Sequence, residues 1–254
     1  TWLLNFAAHP NTLGGGNTLC SADYPYFLRE AIYAQKDVNI LFGIGAIGAV
    51  DPGSFDDEED RWVRTEKQGK ALAAGALRID NDEKMPAEIT VIQQPFYYPA
   101  DNGVLAFLAM LKVMSSKMVP SAEAELGMAL VSEMTYMKIG SQQIVLIPGE
   151  AFPEIAYGGA ASAEESPTGR GPEINPPSFV EIAGDENLLV FGVSNDFTGY
   201  VVPPNDFILH ETQPYLSTSR DKFDRGHYHE TNSLGYSAAK TLSNTFADII
   251  SRIK

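Results

Sequence analysis

Short apolar runs alternate with amphipathic stretches along the chain, and this alternation predicts its secondary structure. Runs rich in β-branched residues and bounded by turn formers predict strands. Apolar residues at three- and four-residue spacing, with Gly and Pro confined to the edges, predict helices. The predicted strands are Trp2–Ala8, Asn39–Ile44, Glu88–Gln93, Gln143–Ile147 and Leu188–Val193, and the predicted helices are Tyr26–Ala34, Glu66–Leu77, Val104–Met114 and Ala238–Ile253.

A strand pairing is also predicted near the middle of the chain. Met134–Lys138 is joined to the strand at Gln143 by the turn-forming segment Ile139–Gln142, which is typical of a hairpin. The hairpin leads directly into Pro148–Glu150. This order of elements predicts an α/β fold, in which helices flank a mixed sheet with antiparallel members.

Two segments without periodicity are predicted to be loops. The acidic run Asp56–Asp60 lacks the regular ligand spacing of a calcium loop, so a solvated surface loop is favoured. The stretch Gly158–Pro177 is rich in Gly, Ala, Ser, Glu and Pro. It fits either an active-site lid or a mobile excursion.

Composition and charge narrow the classes of function. A chain of 254 residues, 44% hydrophobic and 20% charged, is long enough to bury a sizeable core, and we expect one domain over residues 1–254. The net charge of −15 repels phosphate backbones, so we do not expect nucleic acid as a partner. Apolar runs such as Asn39–Val50 fall short of the roughly 20 residues of a membrane helix. The single cysteine, Cys20, excludes an internal disulfide and any cysteine-based metal cluster.

The chain begins abruptly at Thr1. It has neither an initiator Met nor a signal peptide and enters a buried strand at once. We therefore expect an upstream segment that completes the fold, either cut away before Thr1 or absent from this sequence. A free N-terminal Thr is also compatible with a self-processed amidase, in which Thr1 is nucleophile and base.

The chain has four histidines, and among the side chains that bind metals only cysteine is rarer. His9 follows an apolar strand and precedes Pro10 and a glycine-rich turn, a position compatible with a metal ligand or a structural histidine. His227 and His229 fit an H-x-H metal pair on an extended segment, or two loop histidines. His210 has no comparable context.

Several short sequence motifs occur in the order found in one enzyme family. They are NFAAHP (Asn5–Pro10), NTL (Asn17–Leu19), SADYP (Ser21–Pro25), GAVDP (Gly48–Pro52), IPGE (Ile147–Glu150), SNDFTGYV (Ser194–Val201) and Tyr228–Gly235. In these motifs the chain resembles the neutral/alkaline non-lysosomal ceramidases, and it looks like the C-terminal majority of their catalytic domain without the additional β-sandwich.

This resemblance implies a zinc site. Carried over residue by residue, it makes His9, Glu150 and Tyr200 metal ligands, an N/O/O set that zinc tolerates. A further ligand histidine of the family lies upstream of Thr1, so the protein's own N-terminal segment or chain is expected to supply it. As alternatives, Glu150 is a surface turn residue and Tyr200 a packing tyrosine.

The resemblance also implies catalytic residues, with two departures. The family has a tyrosine beside a glutamate where this chain reads Tyr228-His229-Glu230, and we favour Tyr228 over His229 as the oxyanion donor. Asp51 stands where the family has a catalytic serine, and Ala49 where it usually has Asp or Asn. Asp51 is expected to act as general base or to be a turn-forming Asp-Pro residue.

Asp23 completes the set of candidates. Its carboxylate is placed to orient a metal ligand from outside the coordination sphere or to cap the following helix.

Taken together, the sequence predicts a zinc-dependent hydrolase that cleaves an amide bond of a small-molecule or lipid-like, N-acyl, ceramide-like substrate with a metal-activated water. The alternatives are the Thr1 amidase and a lapsed family member with a structural or assembly role. Family resemblance implies an extracellular or periplasmic location and a role in lipid metabolism.

Overall fold

In the computed structural model, residues 1–53, 55, 57–80, 83–113 and 116–253 are described. Their contacts group the chain into two units, Thr1–Met85 and Pro86–Lys254. One domain over residues 1–254 stays a prediction. No described helix has the length and apolar character needed to cross a bilayer.

The Thr1–Met85 unit is built from two strands and two helices. In chain order they are β1 (Trp2–Phe6), α1 (Tyr24–Tyr33), β2 (Ile40–Ile44) and α2 (Arg61–Leu77).

The core of this unit lies between the strand pair and the helices. β1 and β2 are parallel, and the apolar stripe of α1 presents Leu28 and Ile32 to Ile40 of β2 and Ala73 of α2. The two helices approach closely at Gly69, where an added Cβ would lie 2.6 Å from the Tyr24 carbonyl oxygen. Glycine at this position therefore allows the two helices to pack without a gap.

The Pro86–Lys254 unit contains the remaining elements. They are β3 (Ile89–Pro99), α3 (Gly103–Met110), β4 (Met118–Pro120), β5 (Met128–Ile139), β6 (Gln142–Leu146), β7 (Glu150–Ala151), α4 (Pro153–Tyr157), α5 (Phe179–Ala183), β8 (Leu189–Phe191), β9 (Tyr200–Val201), β10 (Ser219–Arg220), β11 (Gly226–His227) and α6 (Ala238–Ser251), with 3₁₀ turns at Pro172–Ile174 and His229–Asn232.

A mixed five-stranded sheet organises this unit. Its order is β3-β5-β6-β8, and β4 also pairs with β5. All its pairs are antiparallel except β6 with β8, which is parallel. The buried face of α6 packs on this sheet through Phe246, whose ring contacts Tyr136 of β5 and Phe179 of α5. The predicted α/β class with a mixed sheet and flanking helices is confirmed.

The predicted elements occur with shifted boundaries. α2 begins at Arg61 rather than Glu66 because the Asp60 carboxylate accepts hydrogen bonds from the Trp62 and Val63 amides and caps the helix. β3 continues to Pro99 because β5 pairs with it along its whole length. The predicted helix end at Met114 and the Asp56 position of the acidic run lie outside the described residues.

The predicted loop Gly158–Pro177 is held by one buried residue, Asn205. Asn205 donates to the Ala161 carbonyl at 2.9 Å, and its own carbonyl accepts from Thr168 Oγ1 at 2.8 Å. Its amide side chain also bonds that of Asn175. The loop is thus held at several points along its length.

Candidate active site

Two of the predicted metal ligands are direct neighbours in the Pro86–Lys254 unit. β7 and β9 form a parallel pair in which Glu150 lies opposite Tyr200. Opposed residues of adjacent parallel strands project from the same face, about 4.8 Å apart. A carboxylate and a phenol that are distant in sequence are therefore placed side by side.

The backbone around this pair is tightly connected. The Glu150 amide donates to the Gly199 carbonyl at 3.0 Å, and the Phe152 amide donates to the Val201 carbonyl at 3.1 Å. Gly199 has a φ of +81°, and a Cβ there would strike the Asn232 carbonyl oxygen. Only glycine fits this position, which fixes where Tyr200 begins its strand.

Burial shapes the electrostatics of the pair. Glu150 is 9% exposed. Burial raises the pKa of the Tyr200 phenol well above its usual value, and the hydrogen bond with Tyr228 and the charge of Glu150 raise it further. The phenol is therefore neutral where it lies opposite Glu150.

Tyr228 and His229 complete an aromatic cluster around Tyr200. The Tyr228 and Tyr200 hydroxyls lie 3.5 Å apart. The His229 ring packs edge-on against Tyr200 at 4.7 Å and against Phe152 at 5.1 Å between centroids. The Tyr228 hydroxyl thus lies next to the predicted ligand pair. The assignment of Tyr228 as oxyanion donor stays a prediction.

His227 lies in different surroundings from His229. Its Nδ1 is 2.8 Å from Glu230 Oε1, in a buried pair. Tyr228 between the two histidines has helical backbone angles, so the segment is not extended there. The alternating geometry of an H-x-H metal pair is therefore absent from 227–229.

A pocket of about 350 Å³ opens onto the Glu150–Tyr200 pair. One part of its wall is polar and the other apolar. Its lining consists of Leu105, Glu150, Phe197, Thr198, Gly199, Tyr200, Tyr228 and Asn232. The arrangement can hold a polar reacting group beside an apolar chain.

His9 is oriented by main chain within the Thr1–Met85 unit. Its Nδ1 lies 2.9 Å from the Val50 carbonyl oxygen, which also accepts the His9 amide at 3.0 Å. Because a carbonyl can only accept, Nδ1 carries the proton, and a neutral ring then has its lone pair on Nε2. A metal-binding imidazole is commonly oriented in this way, by a hydrogen bond from its other ring nitrogen. Tyr24 also donates to the Ala8 carbonyl at 2.7 Å and so holds the main chain directly before His9.

Asp51 lies on the Nδ1 side of the same ring. Its Oδ1 is 3.9 Å from His9 Nδ1 and accepts a hydrogen bond from Asn11 Nδ2 at 2.8 Å. The Asp51 side chain is 75% exposed. Ala49, two residues before Asp51, has a φ of +58°, a left-handed conformation that Asn or Asp adopts more readily than Ala.

Asp23 caps α1, the second of its two expected roles. Its carboxylate accepts from the Tyr24 amide at 2.8 Å, and also from Thr12 and Leu13. The loop that follows His9 is thereby held against the start of α1.

Comparisons with known proteins agree with this architecture. No family model matches the chain, and no curated protein matches it in sequence. The solved neutral ceramidase from Pseudomonas aeruginosa matches with a TM-score of 0.60 and 14% identity, over 99% of this chain and 44% of that one. A ceramidase complexed with C2 matches with a TM-score of 0.65 and 14% identity, over 99% and 45%. The chain has the fold of neutral ceramidases.

The resemblance inferred from short sequence words is thus confirmed for the fold. The chain spans less than half the length of either solved ceramidase. Across the described ranges, no three or more His, Cys, Asp or Glu side chains are grouped to hold a metal ion. The predicted ligand set includes a tyrosine, so it is a different kind of group.

Sequence reasoning missed two side chains near the predicted residues. Asn11 bonds Asp51, and its signal was an amide directly after His9 and Pro10. Phe197 lines the pocket, and its signal was one aromatic residue within a word of small and polar residues before Tyr200.

Proposed function

We propose that this chain carries part of the active site of a zinc-dependent amidohydrolase that cleaves an N-acyl bond. The observation that carries the proposal is the register of β7 and β9, which sets the Glu150 carboxylate and the Tyr200 phenol next to each other beside a pocket. These are two of the three ligands that the sequence resemblance implies within residues 1–254, besides the histidine expected upstream. The fold of neutral ceramidases supports the same reaction class.

The predicted ligands are nitrogen and oxygen donors, the chemical types that zinc binds. Glu150 and Tyr200 supply oxygens, and the tautomer of His9 makes Nε2 its ligating nitrogen. Zinc accepts imidazole nitrogen and carboxylate oxygen. A nearby cation would also lower the raised pKa of Tyr200 and offset the charge of Glu150. We propose His9, Glu150 and Tyr200 as zinc ligands on these grounds.

Bound zinc would lower the pKa of a coordinated water to about 7 and polarise an amide carbonyl. The Tyr228 hydroxyl, 3.5 Å from that of Tyr200, donates to the oxygen on which negative charge develops. Leu105 and Phe197 line the same pocket and offer an apolar surface to the acyl part of the substrate.

The geometry favours an orienting role for Asp51. Its carboxylate lies beside Nδ1 of His9, the edge of the ring opposite to Nε2. There its negative charge strengthens the imidazole as a ligand. The general-base role stays a prediction that a substitution can test.

The test is metal analysis and hydrolysis by the intact protein, using a fluorogenic N-acyl amide. We expect one zinc per chain, loss of hydrolysis with a chelator, and recovery with zinc. Glu150→Gln should weaken zinc binding more than about tenfold, because the loss of even an outer-shell partner of a ligand costs about 10- to 100-fold in metal affinity. The exposed Glu186→Gln is the matched control, with binding unchanged.

Three outcomes would reject the proposal. Hydrolysis that survives chelation but disappears in Thr1→Ala points to an N-terminal nucleophile. Zinc binding without hydrolysis of any N-acyl substrate points to a lapsed, structural member. Absence of zinc together with full activity of Glu150→Gln removes the metal site altogether.

A further inference from the structure

A buried ionic pair flanks Tyr228 in the chain. His227 ends β11, and Glu230 lies in the following 3₁₀ turn. These two residues are 6% and 1% exposed, whereas Tyr228 between them is 47% exposed. His227 Nδ1 is 2.8 Å from Glu230 Oε1. The chain therefore bends around a buried pair and carries Tyr228 on the outside of the bend.

The pair is anchored from both sides. Glu230 Oε1 also accepts from the Ile208 amide at 3.2 Å. His227 Nε2 lies 3.5 Å from Asp221 Oδ2, a carboxylate that Arg225 Nε holds at 2.6 Å. The pair thus connects the bend to the loop after β9 and to the β10–β11 turn.

The main chain of Tyr228 is fixed by the same bend. Its carbonyl accepts from the Thr231 amide at 3.1 Å, from Thr231 Oγ1 at 2.6 Å and from Asn232 Nδ2 at 3.2 Å. The Asn232 carbonyl packs directly on Gly199, the residue before Tyr200. A shift of the bend would therefore change the distance between the Tyr228 and Tyr200 hydroxyls.

Charges around His227 favour its protonated form. Burial acts to lower its pKa, but the hydrogen bond and charge of Glu230 and the charge of Asp206 outweigh burial and raise it. Burial raises the pKa of Asp206 to about 6, with contributions from Glu230 and Glu154 against those of His227 and Arg225. A protonated ring donates from both nitrogens, to Glu230 and towards Asp221.

We infer that His227 and Glu230 are positioning residues that hold the Tyr228 hydroxyl beside Tyr200. This inference rests on the proposed function, in which Tyr228 is the oxyanion donor. A second observation supports it. Glu230 Oε2 is buried with no hydrogen-bond donor among the described residues, so its carboxylate depends on His227 and the Ile208 amide. A buried charge is retained only where its partner is present.

The test is His227→Ala in the intact zinc-loaded protein, with His210→Ala as the matched control. His227→Ala should lower kcat about 10- to 100-fold, as expected for a displaced catalytic group. KM and zinc affinity should stay unchanged, because the ligands are left in place. Amide hydrogen exchange at Thr231 and Ser233 should become faster, and His210→Ala should change none of these quantities.

The exchange measurement separates this inference from the proposed function. If the unsubstituted protein neither binds zinc nor hydrolyses N-acyl substrates, the proposed function fails, and exchange still reports on the bend. Exchange at Thr231 and Ser233 that is unchanged in His227→Ala overturns the positioning role. So does an unchanged kcat in a protein that is otherwise active.

Two variants of Glu230 test the inference even if His227→Ala fails to fold. Glu230→Gln keeps an acceptor for His227 and should lose less kcat than Glu230→Ala. By NMR, the pKa of the His227 ring should fall in Glu230→Gln, because the paired charge is gone. Equal losses in both variants, or an unchanged ring pKa, would overturn the inference.

Discussion

The predicted ligands in the two units are held by different means. In Thr1–Met85, His9 is oriented by one main-chain carbonyl, that of Val50, which accepts from both its ring and its amide. In Pro86–Lys254, Glu150 and Tyr200 depend on strand register and on the packing of Tyr228 and His229. Substitution of the Val50 side chain leaves its main-chain carbonyl in place, whereas substitution of Tyr228 or His229 removes a side chain that packs on Tyr200. We therefore expect substitutions near Tyr200 to have larger effects than those near His9.

The largest effect on turnover is expected at Tyr228. Tyr228→Phe removes the hydroxyl that lies 3.5 Å from that of Tyr200. Loss of one oxyanion donor costs about 100- to 1,000-fold in kcat. Zinc affinity should not change, because Tyr228 is not a proposed ligand. Steady-state kinetics with Tyr97→Phe, an exposed tyrosine of β3, is the control, and a full kcat in Tyr228→Phe would refute this role.

The largest effect on stability is expected at Gly199. Gly199→Ala would place a Cβ against the Asn232 carbonyl at a positive φ. Overpacking and the left-handed backbone together should cost about 3 kcal/mol of the free energy of unfolding. Gly184 has a similar φ of +67° but open space around it. Gly184→Ala should therefore cost only about 1 kcal/mol. Equal losses of stability in the two variants, measured by thermal unfolding, would contradict the close approach of Gly199 to the Asn232 carbonyl.

A substitution at Asp51 tests how His9 is held in the Thr1–Met85 unit. If Asp51 orients His9, Asp51→Asn keeps the turn and should lower kcat less than about tenfold, since general acid–base groups contribute 10²–10⁴-fold. A larger loss, with a lost acidic limb in the pH profile of kcat, would restore the general-base role. Asn11→Ala, which removes the hydrogen-bond donor to Asp51, is a useful companion.

The smallest effect is expected at Ala49, where substitution should raise the free energy of unfolding rather than lower it. Ala49 has a φ of +58° in the turn before Asp51. Asn and Gly adopt this conformation more readily, so Ala49→Asn and Ala49→Gly should each stabilise the protein by up to about 1 kcal/mol. Chemical denaturation measures the change. Destabilisation by both substitutions would show that the turn depends on the Ala methyl group.

Much of the fold was predictable because it rests on local patterns. α6 was placed at its observed start because apolar residues such as Leu242, Phe246 and Ile249 recur at helical spacing. The long β3 was predicted only in part, since its second half contains Pro95 and Pro99 and owes its strand conformation to β5.

The candidate site was predictable only as a set of residue names. β7 and β9 have two residues each, too few for any periodicity. That Glu150 faces Tyr200 is a property of strand register, which depends on contacts distant in sequence. The pairing of His227 with Glu230 likewise required the bend at Tyr228, and no pattern in the sequence predicted that bend.

The register of β7 and β9 also restricts which changes in chain length the protein can accept. Side chains alternate between the faces of a strand, so moving the chain by one residue turns Tyr200 away from Glu150. A one-residue deletion between Ser194 and Thr198 would move the phenol to the opposite face. Insertions in Gly158–Pro177 do not change this register, provided that they spare Ala161, Thr168 and Asn175, which bond Asn205. During divergence, therefore, the long loop can change in length between these three residues, whereas the segment before Tyr200 must keep its length.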